Sequence, residues 1–224
     1  MKTTTAFSPS CRLLLRGLLV CGGLLPAAQA GAGSAMDMAA KPAAQHEMRM
    51  PMSMPMPSEQ DGYARTLVNY TIPDVKLVDA DGAKVSLRAT LADKPVILNF
   101  IFTSCGAICP VMSKTFEQLQ DALGPDRGKV RMVSISIDPE QDTPTVLKAY
   151  AEKYSAGPQW KMLTGSLDDS ISVQRAFDVY RGDKMDHLPA TFLRAGPGKP
   201  WVRLDGFASA SDILHEYRQI TAKN

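Results

Sequence analysis

Histidine is scarce in this chain, with three copies in 224 residues, and cysteine contributes only four. Neither sign of charge is in excess. The chain has 25 basic against 23 acidic side chains, a formal net charge of +2. Such a balance lacks the basic footprint that grips a phosphate backbone, so no nucleic-acid partner is expected. Long apolar runs are missing too. "GLLVCGGLL" at residues 17–25 is far short of the roughly 20 residues that cross a bilayer. No internal repeat is visible.

The N-terminus does hold a recognisable layout. Lys2, Arg12 and Arg16 occur without an acid, the apolar run follows, and the small-residue stretch "AQA" ends at Ala30. This order predicts a secretory signal peptide over residues 1–30, cleaved after Ala30 to release a soluble product. An uncleaved segment that anchors the chain is the alternative. Lipid attachment at Cys21 is disfavoured because Val20 is bulky where a small residue belongs. Cleavage leaves 22 basic against 23 acidic residues and makes Cys105 and Cys109 the only thiols. An oxidising compartment favours their pairing.

Residues 31–66 consist mainly of Ala, Met, Pro, Gln and Ser, with almost no branched apolar side chain. No core can form from them, which predicts a disordered Met-rich tether. Met48, Met50, Met52, Met54 and Met56 alternate, but Pro51, Pro55 and Pro57 lack ladder donors. An extended coil is therefore expected rather than a strand. Seven of the 12 methionines lie between Met36 and Met56, with His46 among them. Exposed methionine is apolar and easily oxidised, a poor choice for an inert spacer. Thioether sulfur is a soft neutral ligand, so the run reads as an accessory copper-capturing segment.

From about Leu67 to the C-terminus the pattern is globular. "VKLVDADGAKVSL" reads as a hairpin around Asp81-Gly82, and "PVILNFIF" as a central strand apolar on both faces. "SKTFEQLQDAL" is helical and stops at Gly124-Pro125, and "KVRMVSISID" is a second buried strand. Thr143 and Pro144 open a helix in "TPTVLKAYAEKY", "QWKMLTG" is a strand, and Ser166 opens a helix in "SLDDSISVQRAFDVY". "ATFLRAGPGKPWVRLDGF" gives two strands and "SASDILHEYRQI" a final helix. Strands alternating with helices predict one layered α/β domain over residues 67–224.

The chemistry concentrates in "TSCGAICP". Cys105 and Cys109 are four apart, so a helix beginning near Cys105 puts both sulfurs on one face of its first turn. Free amides and the positive dipole end there favour thiolate over thiol, and predict a low pKa for both. Such a pair can close to a disulfide or grip a soft metal. A bridge closing so short a loop constrains the unfolded chain weakly, which argues against a purely structural role. His215 in the terminal helix reads as an ordinary histidine. His187, in the loop before a strand, is flanked by Asp186 and Pro189. Two thiolates and an imidazole suit copper and bias it to Cu(I). Asp138 and Asp142 are too hard to ligate Cu(I), although Asp138 is expected to orient a ligand.

"FIFTSCGAICPVMS", "VSISIDPEQDTPTVLKAYAEKY" and "DHLPATFLRAGPG" resemble, in order and spacing, the SCO (SCO1/SenC) family of copper-handling proteins. The resemblance implies a thioredoxin-like fold, a central mixed sheet flanked by helices, here with an N-terminal hairpin extension. It implies copper, Cu(I) and in some settings Cu(II), held by Cys105, Cys109 and His187. It also implies periplasmic delivery to the CuA-bearing subunit of cytochrome c oxidase, beside other periplasmic copper chaperones and a thiol reductant.

One feature departs from that pattern. "LPATFL" looks more like thioredoxin-type reductases, where a cis-proline at the position of Pro189 faces the dithiol. Two rivals follow: a thiol–disulfide oxidoreductase acting on exported proteins, and a Met-rich copper buffer for metal tolerance. Copper delivery requires no turnover of a small substrate. The Thr-x-x-Cys motif of a peroxiredoxin is absent, since Thr103 stands two before Cys105.

Overall fold

Strand β4 (Val96–Ile101) is buried at all six positions, Asn99 included, as a strand apolar on both faces demands, and the sheet is built outward from it. The computed structural model describes residues 62–222. In chain order the other elements are β1 (Tyr63–Val68), β2 (Lys76–Asp79), β3 (Lys84–Ser86), α1 (Leu87–Ala92), α2 (Ile108–Leu123), β5 (Arg131–Ser136) and α3 (Pro144–Lys153). There follow β6 (Trp160–Thr164), α4 (Leu167–Ala176), β7 (Ala190–Arg194), β8 (Trp201–Gly206) and α5 (Ala210–Ala222). One mixed eight-stranded sheet runs in the order β1-β8-β7-β4-β5-β6-β2-β3. This is the expected central sheet flanked by helices.

The two faces of β4 carry different packing. Asn99 points with Ser134 toward α2: the Ser134 hydroxyl donates to Asn99 Oδ1 at 2.7 Å and accepts from Trp160 Nε1 at 2.9 Å, and Trp160 stacks on Phe116 of α2. Phe100 faces the other way, into a ring cluster with Phe177, Phe192, Trp201 and Tyr70. Helix α2 packs against α5 and meets α3 through a 2.8 Å hydrogen bond between the Ser113 and Tyr150 hydroxyls. Strand β4 is parallel to β5 and antiparallel to β7. The C-terminal end of β4 therefore lies beside the end of β5 and the start of β7.

The expected hairpin forms. Asp79 Oδ1 accepts from the amides of Asp81 and Ala83 at 3.0 and 2.9 Å, and Gly82 takes φ +86°. It joins the main sheet by pairing β2 with β6. Thr143 and Ser166 cap α3 and α4 as read from the sequence.

Three features differ from the expectation. The domain begins earlier than Leu67: Tyr63–Val68 form β1, paired with β8 from Tyr63↔Gly206 to Val68↔Trp201. The four central residues of β1 are exposed, so it shows no apolar alternation to betray it. The ladder to β8 and an ion pair, in which Arg65 Nε reaches both oxygens of Glu216 at 2.9 Å, hold it in place. Residues 31–61 of the expected tether and the expected signal peptide lie outside the described residues. Second, the hairpin stops at Ser86: Leu87 opens α1, and the Ser86 side chain caps it by accepting from the Ala89 amide. Third, α4 stops at Ala176 rather than reaching Tyr180, because Asp178 turns to φ +55° and the Val179 amide bonds back to the Gln174 carbonyl.

Glu216 is buried while Arg65 is partly exposed. Arg65→Ala should therefore lower unfolding free energy by about 1–3 kcal/mol, read as a lower urea midpoint at unchanged slope.

Candidate metal centre

The loop leaving β4 is pinned before it reaches the cysteines. Asp142 is fully buried, and its carboxylate accepts from the Thr103 amide at 3.1 Å, the Thr103 hydroxyl at 2.5 Å and the Ser136 hydroxyl at 2.6 Å. The Asp142 amide in turn donates to the Asp138 carbonyl at 2.9 Å. One carboxylate thus ties the exits of β4 and β5 together. "DPEQDTP" was visible in the sequence, but its role as an anchor was not, because both partners of Asp142 come from other elements.

Helix α2 begins at Ile108, not near Cys105. Cys105 lies in the turn ahead of it, partly exposed, and its sulfur accepts from the Cys109 amide at 3.4 Å. Cys109 is 1% exposed inside the first turn, its sulfur accepting from the Phe102 amide at 3.5 Å. Both thiols are free. The expectation of two low-pKa thiols is corrected. Partial burial pushes the Cys105 thiol up, but the amides of Cys109, Ala107 and Ile108 outweigh it and hold the pKa below the usual thiol value. Burial pushes Cys109 up to about 12, and its neighbour Cys105 adds to the shift. The pair is a partly exposed thiol of lowered pKa beside a buried thiol of raised pKa.

His187 closes a 3-10 turn, Lys184–Asp186, just ahead of β7. Its ring is buried, and Nε2 lies 3.3 Å from the Phe100 carbonyl, a strand residue beyond the last β4–β7 pair at Asn99↔Thr191. A carbonyl partner requires Nε2 to carry the proton, so Nδ1 holds the lone pair. Nδ1 is buried with no hydrogen-bond partner. Burial lowers the His187 pKa, against the opposing effect of the Phe100 carbonyl, which keeps the ring neutral. The turn is fastened by Lys184, whose Nζ donates to Asp138 at 2.5 Å and lies 5.8 Å from the Phe102 ring centroid. Asp138 thus acts on the histidine loop through Lys184. Behind that loop runs a groove of about 560 Å³ lined by Leu167, Ile171, Val179, Tyr180 and His187.

Cys105, Cys109 and His187 all sit at the C-terminal end of β4. They do not close on a common point: among the described residues, no three His, Cys, Asp or Glu side chains are arranged around a single metal position. Their chemistry still fits a soft ion, with one thiol of lowered pKa, a second thiol and one imidazole whose Nδ1 has no hydrogen-bond partner. His215 lies on α5 with Gln219 as its partner. Pro189 heads β7, its carbonyl accepting from Gly206 at 2.9 Å. Met48, Met50, Met52, Met54, Met56 and His46 fall outside the described residues.

The SCO1/SenC family model matches residues 65–222, a span that includes Cys105, Cys109 and His187. The chain belongs to the SCO1/SenC family. It is 37% identical over 105 residues to an SCO1 protein homolog of Bacillus subtilis, covering 46% of this chain and 54% of that one. It is 35% identical over 109 residues to a putative copper-binding protein of Stutzerimonas stutzeri, covering 48% and 52%. The chain spans about half the length of these curated relatives. Among solved structures, Bradyrhizobium japonicum ScoI with copper bound matches at TM-score 0.56 and 25% identity, over 67% of this chain and 99% of that one. BsSco, described as a Sco-family cytochrome c oxidase assembly protein with a disulfide switch, matches at TM-score 0.60 and 28% identity, over 69% and 95%. These SCO neighbours have the thioredoxin-like fold.

The thiol asymmetry of this SCO chain has a direct readout. In the reduced protein, iodoacetamide should label Cys105 at a pH below that of an ordinary thiol, whereas Cys109 should stay protected until the pH approaches 12. Peptide mapping by mass spectrometry against pH distinguishes the two sites.

Proposed function

We propose that this chain is a periplasmic copper chaperone that carries Cu(I) on Cys105, Cys109 and His187 and delivers it to the CuA centre of cytochrome c oxidase. The observation that carries this reading is the presence, at one strand end, of a thiol of lowered pKa, a second thiol and an imidazole with an unpartnered Nδ1. The copper-bound ScoI and the oxidase-assembly role described for BsSco support it. Binding asks the Cys109 thiol to release its proton to solvent as the ion arrives, since the metal ligand is the thiolate. It also asks the His187 turn to adjust. Closing Cys105–Cys109 as a disulfide removes both sulfur donors, so a thiol reductant switches binding on.

Export through the segment at residues 1–30 would place the protein in the periplasm, with other copper chaperones. One structural relative is described as a lipoprotein, and no helix among the described residues is long and apolar enough to cross a membrane. Met48, Met50, Met52, Met54, Met56 and His46 would serve as accessory donors that gather Cu(I) before it reaches the thiols.

The unequal thiols favour a second activity, reduction of disulfides in exported proteins. The Cys105 thiolate attacks one sulfur of the target disulfide, forming a mixed disulfide and releasing the target's other sulfur as thiolate. Cys109 then loses its proton and attacks the Cys105 sulfur. The chain's disulfide closes, and the target leaves carrying two electrons.

Anaerobic Cu(I) competition titration of the reduced protein separates the readings. His187→Ala should weaken Cu(I) binding by more than about 100-fold, beyond the effect of losing an outer partner of a ligand. It should leave the rate of dithiol exchange unchanged. A variant that keeps wild-type Cu(I) affinity would overturn the three-ligand site and leave the reductase reading.

A further inference from the structure

The parallel run of β4, β5 and β6 gives the molecule one busy end. These three strands finish there, α2, α3 and α4 begin there, β7 starts there and β8 ends there. Among the described residues, seven large apolar side chains stand exposed, and six of them are at this end. Val111, Val146 and Leu167 lie in the first turns of α2, α3 and α4. Met185 and Leu188, 72% and 61% exposed, bracket His187, and Phe207 follows β8. The seventh, Leu67, sits near the opposite end, close to where β1 finishes beside Trp201. Scattered exposed apolar residues are ordinary, but collection around one site marks a contact surface.

Charge describes what fits there. Glu140, Asp168, Asp183 and Asp186 are exposed at the same end and form no ion pair among the described residues. The two neighbouring cations lie at the surface but already have partners, and Arg181 comes within 3.9 Å of the Asp178 carboxylate. Lys184 is held by Asp138, while Arg181 folds onto the carbonyls of Tyr180 and Asp178. This end therefore combines exposed apolar side chains with carboxylates that form no ion pair, and it is the end that carries the thiols.

We propose that this end docks a copper-exchanging protein whose contact surface is apolar at its centre and ringed by lysine and arginine. The proposal rests on the chaperone reading and names the kind of partner that the site admits. A second copy of this chain fits poorly, because a two-fold contact sets like charges against each other. Residues 36–61 of the chain also fit poorly, since they carry four acids against two bases.

The test uses the full chain, copper-free and reduced, against the copper-free soluble CuA-bearing domain of the same cell's oxidase. Binding is followed by biolayer interferometry at about 50 and 200 mM salt. The wild type should bind saturably and lose about tenfold in affinity over that range, mostly in association rate. Neutralising the acids (Glu140→Gln, Asp168→Asn and Asp186→Asn together) should cost about tenfold and flatten the salt dependence. Leu167→Ser with Leu188→Ser should cost about tenfold, mainly as faster dissociation. All of these side chains are exposed, and unchanged melting confirms the fold.

Absence of docking, or docking indifferent to both sets, overturns the proposal. So does a dimer in sedimentation velocity that the same variants abolish, which assigns the face to a second copy. Tightening of about tenfold on deleting residues 36–57 assigns it to the chain's own segment. A wild type that docks as expected but takes up no Cu(I) upholds the surface and overturns the chaperone reading alone.

Discussion

The site depends on the buried carboxylate of Asp142, which ties the exits of β4 and β5 together. Asp142 has no solvent to stabilise it, so its oxygens must be filled by protein donors, and Thr103 and Ser136 fill them. That requirement fixes the backbone two residues before Cys105 to the exit of the neighbouring strand. The cysteine turn then has little freedom in where it enters α2. Removing the carboxylate would leave the Thr103 amide and two hydroxyls in want of partners. The site would loosen before any ligand was touched.

Around that anchor the fold sorts two identical side chains into different chemistries. Cys105 stands at the open mouth of the helix, where three amides point toward it; Cys109 lies one turn deeper, enclosed by the core. Position relative to the start of α2 therefore shifts the two thiol pKa values in opposite directions. His187 is handled in a similar way. Its ring is kept dry and neutral, one nitrogen occupied by a strand carbonyl and the other left free, while Lys184 and Asp138 hold its turn.

Much of this was legible in the sequence. The buried strands announced themselves by apolar side chains on both faces, the hairpin by Asp81-Gly82, and α3 and α4 by Thr143 and Ser166 at their starts. These signals are local. Strand β1 was not legible, because its exposed residues follow no period and its place is fixed by β8 and Glu216, far along the chain. The inequality of Cys105 and Cys109 was hidden for a related reason. Spacing tells which residues share a helix face, but not where the helix begins, and α2 begins three residues later than a reading centred on Cys105 supposes. The partners of Asp142 and Lys184 are likewise tertiary, so the residues could be seen but not their work.

The location of Gly62 carries a consequence of its own. Its carbonyl takes the Phe207 amide at 3.0 Å, and β1 starts opposite Gly206, so the N-terminal chain joins the domain at the thiol-bearing end. Met56 is six residues upstream, a leash of at most about 20 Å when fully stretched. Were Met56 to serve as the accessory donor proposed above, so short a leash would hold its sulfur near this end at an effective molarity in the millimolar range. Transfer from it to the dithiol would then be governed by chain geometry rather than by how much protein the cell makes.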